Sequence, residues 1–139
     1  MDAKRTNDDP GVAEAVYGHD PLCVALPMPP SVNHLFPTVN GRRVASSEYK
    51  RWQRAAALGA HWPVYSEDQK NRIAWAVVIE ARGMGHQRDL DNIAKPVLDL
   101  IAAMTGLRDR YCNTIELTRT GLLTTETEPY VYVRVGVAA

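Results

Sequence analysis

Ile73-Ala74-Trp75-Ala76-Val77-Val78-Ile79-Glu80-Ala81 is the stretch on which the fold turns. Its apolar residues run almost without interruption, where a half-buried strand would alternate apolar and polar positions. A short run of this kind, rich in β-branched side chains, predicts a central strand covered on both faces. Downstream, after Gly83-Met84-Gly85-His86, read as a flexible connection, a helix is expected from Asp91 or Asn92 to about Thr105. Ile93, Val97, Leu100, Ile101 and Met104 recur at i, i+4, i+7, i+8 and i+11, which is one helical face. Pro96 sits close enough to the first turn to be tolerated there, and Gly106 ends the helix.

Two more strands follow, Thr114 to Thr120 and Tyr130 to Val137; in the last, Val131, Val133 and Val135 alternate with Tyr130, Tyr132 and Arg134. Upstream, Leu22-Cys23-Val24-Ala25-Leu26 reads as a short buried first strand, ended by Pro27-Met28-Pro29-Pro30 because proline cannot donate to a sheet. Residues 31–45 are expected to be a loop with its turn at Asn40-Gly41. Ser46 or Ser47 caps a helix reaching about Leu58, with Glu48 in its first turn, an apolar stripe of Tyr49, Trp52 and Ala56, and Gly59 as its stop. The next segment is polar as far as Ile73. The order β-α-β-α-β-β predicts a single α+β domain over 21–139: a mixed sheet of about four strands with two main helices against one face.

The 139 residues suit one domain, and an apolar fraction of 45% suits one core. No apolar run approaches the roughly 20 residues that cross a bilayer, and the polar, acidic start lacks the pattern of a signal peptide. The expectation is a soluble, cytoplasmic protein with no membrane partner. Cys23 and Cys112 are far apart and form no metal-binding motif, so both are read as reduced, partly buried thiols. Residues 1–20 carry a balance of −3, read as a disordered acidic tail, and this leaves +3 for the rest of a chain whose net charge is zero. Arg42, Arg43, Lys50, Arg51 and Arg54 fall within thirteen positions and face only Glu48. A local cationic surface of this kind suits the phosphate backbone of a nucleic acid, and these five are the candidate backbone contacts.

The chemistry concentrates at Arg88-Asp89-Leu90-Asp91-Asn92-Ile93-Ala94-Lys95. In an extended segment, positions i and i+2 point the same way, so the Asp89 and Asp91 carboxylates would reach one point. Two such carboxylates repel unless a cation lies between them. A hard divalent ion such as Mg²⁺ fills that place and keeps room for phosphate oxygens and water. The plainer alternative is that Asp91 caps the helix while Asp89 complements its positive end. Lys95 likewise has two readings: a point charge for a phosphate, or a member of the i,i+4 pairs Asp91/Lys95 and Lys95/Asp99. His34 and His86 are lone histidines read as structural or exposed, Trp52 and Trp75 as core residues, and Phe36 as packing on its own domain.

Arg88-Asp89-Leu90-Asp91-Asn92, then Lys95, Asp99, a glycine and a strand, resembles the signature of the RusA family of Holliday-junction resolvases. Upstream, Pro29-Pro30-Ser31-Val32-Asn33-His34, then Gly41-Arg42-Arg43 and Ser47-Glu48-Tyr49-Lys50, resemble that family's proline loop and first helix. The likeness spans roughly residues 22–137 in the right order. It implies a small homodimer, bacterial or phage-encoded, that binds four-way DNA junctions in recombination and repair and resolves them by paired nicks with Mg²⁺ or Mn²⁺. By the same resemblance Asp89 and Asp91 are metal ligands and Lys95 is the catalytic lysine; Asn33 and Arg88 are candidate DNA contacts, Arg88 being read either as a phosphate contact or as a solvent-exposed arginine. The family's third aspartate comes from an Asp-Asp pair before the next strand. Here Asp109 holds the first place and Arg110 the second, so the third metal ligand is Asp109 or, further on, Glu116; with neither, the chain is a junction binder that does not cut.

Overall fold

A computed structural model describes residues 22–31, 38–43, 46–84, 89–120 and 128–137. The central run forms strand β4 (Trp75–Arg82), and its neighbours are those expected of a strand buried on both sides. It lies between β6 (Tyr130–Val137), antiparallel to it, and β5 (Cys112–Thr120), parallel to it; β1 (Leu22–Pro27) closes the other edge against β6, giving the order β1-β6-β4-β5. The fold is an α+β arrangement on one mixed four-stranded sheet. Trp75, Val77, Ile79 and Ala81 point into the main core, while Ala76 and Val78 on the opposite face are also buried, at 0% and 1% exposure.

Antiparallel neighbours can be joined by a tight turn, but the parallel pair β4 and β5 needs a crossover. That crossover is α3 (Ala94–Thr105), led in by a 3-10 turn over Leu90–Ile93. Val97, Leu100 and Ile101 bury the face expected from their spacing, whereas Met104 packs only partly and Thr105 is buried in its place. The Thr105 hydroxyl donates to the Ile101 carbonyl at 2.6 Å and accepts from the Leu107 amide at 3.1 Å, so the buried oxygen is satisfied. Gly106 ends the helix at φ 84°, where a side chain would be strained.

The first helix, α1 (Ser47–Leu58), is capped by the Ser46 hydroxyl, which accepts from the Tyr49 amide at 3.0 Å. It buries Tyr49, Trp52 and Ala56, and the Trp52 indole donates to the Pro27 carbonyl at 2.7 Å, fastening the helix to the end of β1. Both long helices pack on one face of the sheet, against Leu22, Val24, Leu26, Val131, Val133 and Val135. Both tryptophans expected in the core are there.

The structure corrects the readings of β1 with Cys23 and of the loop over 31–45, and adds detail elsewhere. β1 is an edge strand with alternating burial, so Cys23 and Ala25 face out and only Leu22, Val24 and Leu26 are buried. Cys23 is therefore an exposed thiol, and Cys112 a half-buried one. Within the segment read as a loop, Thr38–Val39 (β2) and Arg42–Arg43 (β3) pair as a hairpin. Asn40 and Gly41 turn it with φ values of 53° and 77°, the pair of positive angles that a tight hairpin requires. The polar stretch before β4 holds a one-turn helix, α2 (Glu67–Lys70), started by a reciprocal capping box between Ser66 and Gln69. Of the flexible connection after β4, Met84 is buried in the core. The acidic tail of residues 1–20, Asn33, His34, Phe36, His86 and Arg88 lie outside the described residues.

Ile79 is fully buried at the middle of β4. Ile79→Ala is expected to lower the unfolding free energy in urea by about 2–5 kcal/mol, through lost transfer energy and the cavity left behind. Val64→Ala, at a side chain 78% exposed, should change it by no more than about 0.5 kcal/mol.

Candidate functional site

The crossover that joins β4 to β5 lays the first half of α3 alongside the start of β5, and a groove of about 360 Å³ opens between them. Asp91, Ala94, Lys95, Leu98 and Asp99 come from the helix side, and Asp109, Cys112 and Ile115 from the strand side. Of the residues singled out from sequence, the fold thus brings Asp91, Lys95 and Asp109 to one groove. Asp109 opens a short 3-10 turn (Asp109–Tyr111) that delivers the chain into β5, with the Trp75 indole donating to the neighbouring Arg108 carbonyl at 2.8 Å.

Asp89 is placed differently. Its backbone is extended (φ −72°, ψ 138°), but the 3-10 turn begins at the next residue, and the Asn92 amide closes on the Asp89 carbonyl at 3.1 Å. Strand alternation, which would have aimed Asp89 and Asp91 the same way, therefore does not operate here. Asp91 lines the groove and Asp89 does not. The capping role is not taken up either, since neither the turn's first position at Asp89 nor the helix's at Ile93 carries a side-chain cap. Among the described residues, no hydrogen bond or ion pair engages the carboxylates of Asp89, Asp91 or Asp109, all three exposed. They are open to water or to a ligand.

Lys95 is engaged. Its ammonium lies 3.2 Å from an Asp99 carboxylate oxygen, and its side chain remains 60% exposed. An exposed pair of this type contributes only about 0.3–0.5 kcal/mol to stability, so a phosphate can displace the carboxylate at little cost. Asp99 is the groove residue that sequence reasoning left out of the site; its i,i+4 spacing from Lys95 was the available signal. Its charge also reaches α1: burial, and then the Asp99 carboxylate, push the Tyr49 hydroxyl above its ordinary value.

Glu116, the alternative third acid, pairs with Val78 across the sheet, one residue on from the groove-lining Ile115. Alternation along β5 turns it to the opposite face, so it is not a candidate for this site. Arg110 is exposed and does not line the groove. Lys50, Arg51 and Arg54 are exposed on α1, on the arc opposite its buried stripe, as expected. Arg42 and Arg43 make up β3 of the hairpin that precedes α1.

All the groove's charged acceptors are carboxylate oxygens, the donor type Mg²⁺ and Mn²⁺ prefer. Among the described residues no three His, Cys, Asp or Glu side chains are gathered closely enough to enclose an ion. Magnesium commonly takes one or two carboxylates and keeps several waters, and Asp91 and Asp109 are of that donor type.

Burial pushes the Cys112 thiol up to about 11, with the Asp109 carboxylate adding to the rise. At pH 8 it is protonated and slow toward a disulfide reagent, whereas Cys23 is exposed. Titration of the native protein with such a reagent at pH 8 is expected to show one fast thiol and one slow one. The slow phase should accelerate as pH rises from 9 toward 11, and Cys112→Ser should remove it.

No model of a protein family matches this chain and no curated protein matches it, so the likeness of its two motifs to the junction resolvases stands on those residues alone.

Proposed function

We propose that this chain is a Mg²⁺-dependent endonuclease of branched DNA, a resolvase of four-way junctions of the RusA type that acts as a homodimer in recombination and repair. The observation that carries the reading is the convergence of Asp91, Lys95 and Asp109 on one groove, with neither carboxylate bonded to a side chain or ion-paired among the described residues. The motif likeness singles out Asp91 and Lys95 from sequence alone, with Asp109 as one candidate for the third acid, and it also names Asp89, which does not line the groove.

In this reading Asp91 and Asp109 hold the ion from the two sides of the groove, while Asp89, at the head of the turn, lies outside the groove lining. Bound there, Mg²⁺ or Mn²⁺ supplies Lewis acidity toward a phosphate oxygen and lowers the pKa of a coordinated water. Lys95 leaves Asp99 for a non-bridging or leaving oxygen of the phosphodiester, and its positive charge offsets the negative charge that grows in the transition state. Lys50, Arg51 and Arg54 take backbone phosphates on the flanking arm; Arg42, Arg43, Asn33 and Arg88 are further candidate contacts on the motif likeness and charge of the sequence alone. Two copies related by a two-fold axis would present two such grooves to opposed strands, which suits symmetric nicking of a junction.

One feature favours a second reading, a binder that does not cut: an arginine, Arg110, stands where the resemblance calls for the second aspartate of the pair. Incubation of a synthetic four-way junction with the protein and Mg²⁺ or Mn²⁺ separates the two. The nuclease reading expects paired nicks, and Asp91→Asn should slow them by about 10²-fold or more while leaving binding in place. Binding by both proteins with nicking by neither establishes the binder. Replacement of Lys50, Arg51 and Arg54 together by alanine is expected to weaken junction binding and to reduce the slope of log affinity against log salt by about 3 per protomer, about 5 for the two copies of the dimer. An unchanged slope removes α1 from the interface.

A further inference from the structure

The carboxylates and the lysine account for only half of the groove. The other half is apolar: Ala94, Leu98, Cys112 and Ile115 line it beside the charged residues. Ile115 is 46% exposed, on a strand at the edge of the sheet, and is one of three large apolar side chains so exposed among the described residues. A phosphodiester has nothing to bury against such a wall. Nor can a second phosphate settle there, because Asp91, Asp99 and Asp109 outnumber Lys95 and make the groove anionic. An uncharged, flat group attached to the phosphate does suit it. The volume of about 360 Å³ lies at the small end of ligand pockets, which suits one nucleoside and not a stacked duplex.

We propose that Ala94, Leu98, Cys112 and Ile115 form a nucleobase subsite that takes one unstacked base, next to the phosphate held at Asp91 and Lys95. This rests on the nuclease reading and adds to it how the groove selects branched DNA. A base inside a continuous duplex reaches the wall only by breaking its stack, whereas nucleotides at a branch point are unpaired or easily unstacked at least cost. Aliphatic side chains serve as wedges and pocket walls for such bases in other DNA-binding proteins. Selectivity for junctions is then partly a property of each single groove and not only of the two-fold pairing of sites.

The test uses four-way junctions carrying 2-aminopurine in turn at each position around the crossover, bound by the whole chain in Ca²⁺ to hold back hydrolysis. Stacking quenches this base, so the proposal expects emission to rise on binding at one position per groove, and not in a linear duplex of the same sequence. Ile115→Thr keeps a β-branched residue on the strand and removes the apolar bulk. It is expected to lose most of the rise while junction binding persists, and Leu98→Ala should do the same if the wall is the cause. Binding and nicking with flat emission at every position overturns the subsite and leaves the nuclease standing. A rise that survives both substitutions also overturns it. A rise without nicking in Mg²⁺ supports the subsite and defeats hydrolysis, and a chain that binds no junction overturns both.

Discussion

The burial of β4 from both sides is the constraint on which the other elements depend. A strand with Ala76 and Val78 buried on one face and Trp75, Val77, Ile79 and Ala81 on the other must have a hydrogen-bonded neighbour along each edge. One neighbour, β6, arrives antiparallel. The other, β5, is parallel, and that geometry obliges the chain to return along the sheet before β5 begins. The return path is α3, and its position beside β5 is what makes a groove. Asp91, Lys95 and Asp109 thus meet through a backbone requirement, since eighteen positions separate Asp91 from Asp109 in the chain.

Within the groove, opposite charges are arranged so that none is deeply committed. Three aspartates share the space with one lysine, and among the described residues only Asp99 of the three is paired, in a contact that remains partly exposed. A surface built for stability alone would satisfy Asp91 and Asp109 with arginines or with helix caps. The near absence of such partners keeps these groups exchangeable, which is the condition for binding a cation and a phosphate at one place.

The sequence made the scaffold legible wherever side-chain periodicity and chain punctuation agreed. β4 and β6 and the limits of α1 and α3 could be read from Ile79, Val133, Ser46 and Gly106, because each element states its own burial and its own end. β1 was misread as fully buried because Cys23 and Ala25 are small and apolar enough for an exposed edge, and composition alone does not distinguish edge from centre. The hairpin at Asn40-Gly41 was visible as a turn but not as strands, since two residues a side carry no pattern. At the site, residue identities were legible and geometry was not. The parallel placing of Asp89 and Asp91 assumed an extended backbone, which the hydrogen bond from Asn92 to Asp89 replaces with a turn. Asp99 is legible as an ion-pair partner and as part of the motif but not as a site residue, because its place in the groove depends on β5, which lies distant in sequence.

The indole of Trp75 has a role beyond filling the core. It lies at the first residue of β4 and holds the carbonyl of Arg108, the residue immediately before Asp109. The short connection after Gly106 is thereby tethered to a strand buried on both faces. Its length is consequently fixed like a spacer in a machine part: an inserted or deleted residue between Gly106 and Asp109 has no slack to absorb it. Either the tether lets go or the aspartate is carried out of register with the helix opposite, so lineages of this chain would tolerate changes of residue type in that connection far more readily than changes in its length.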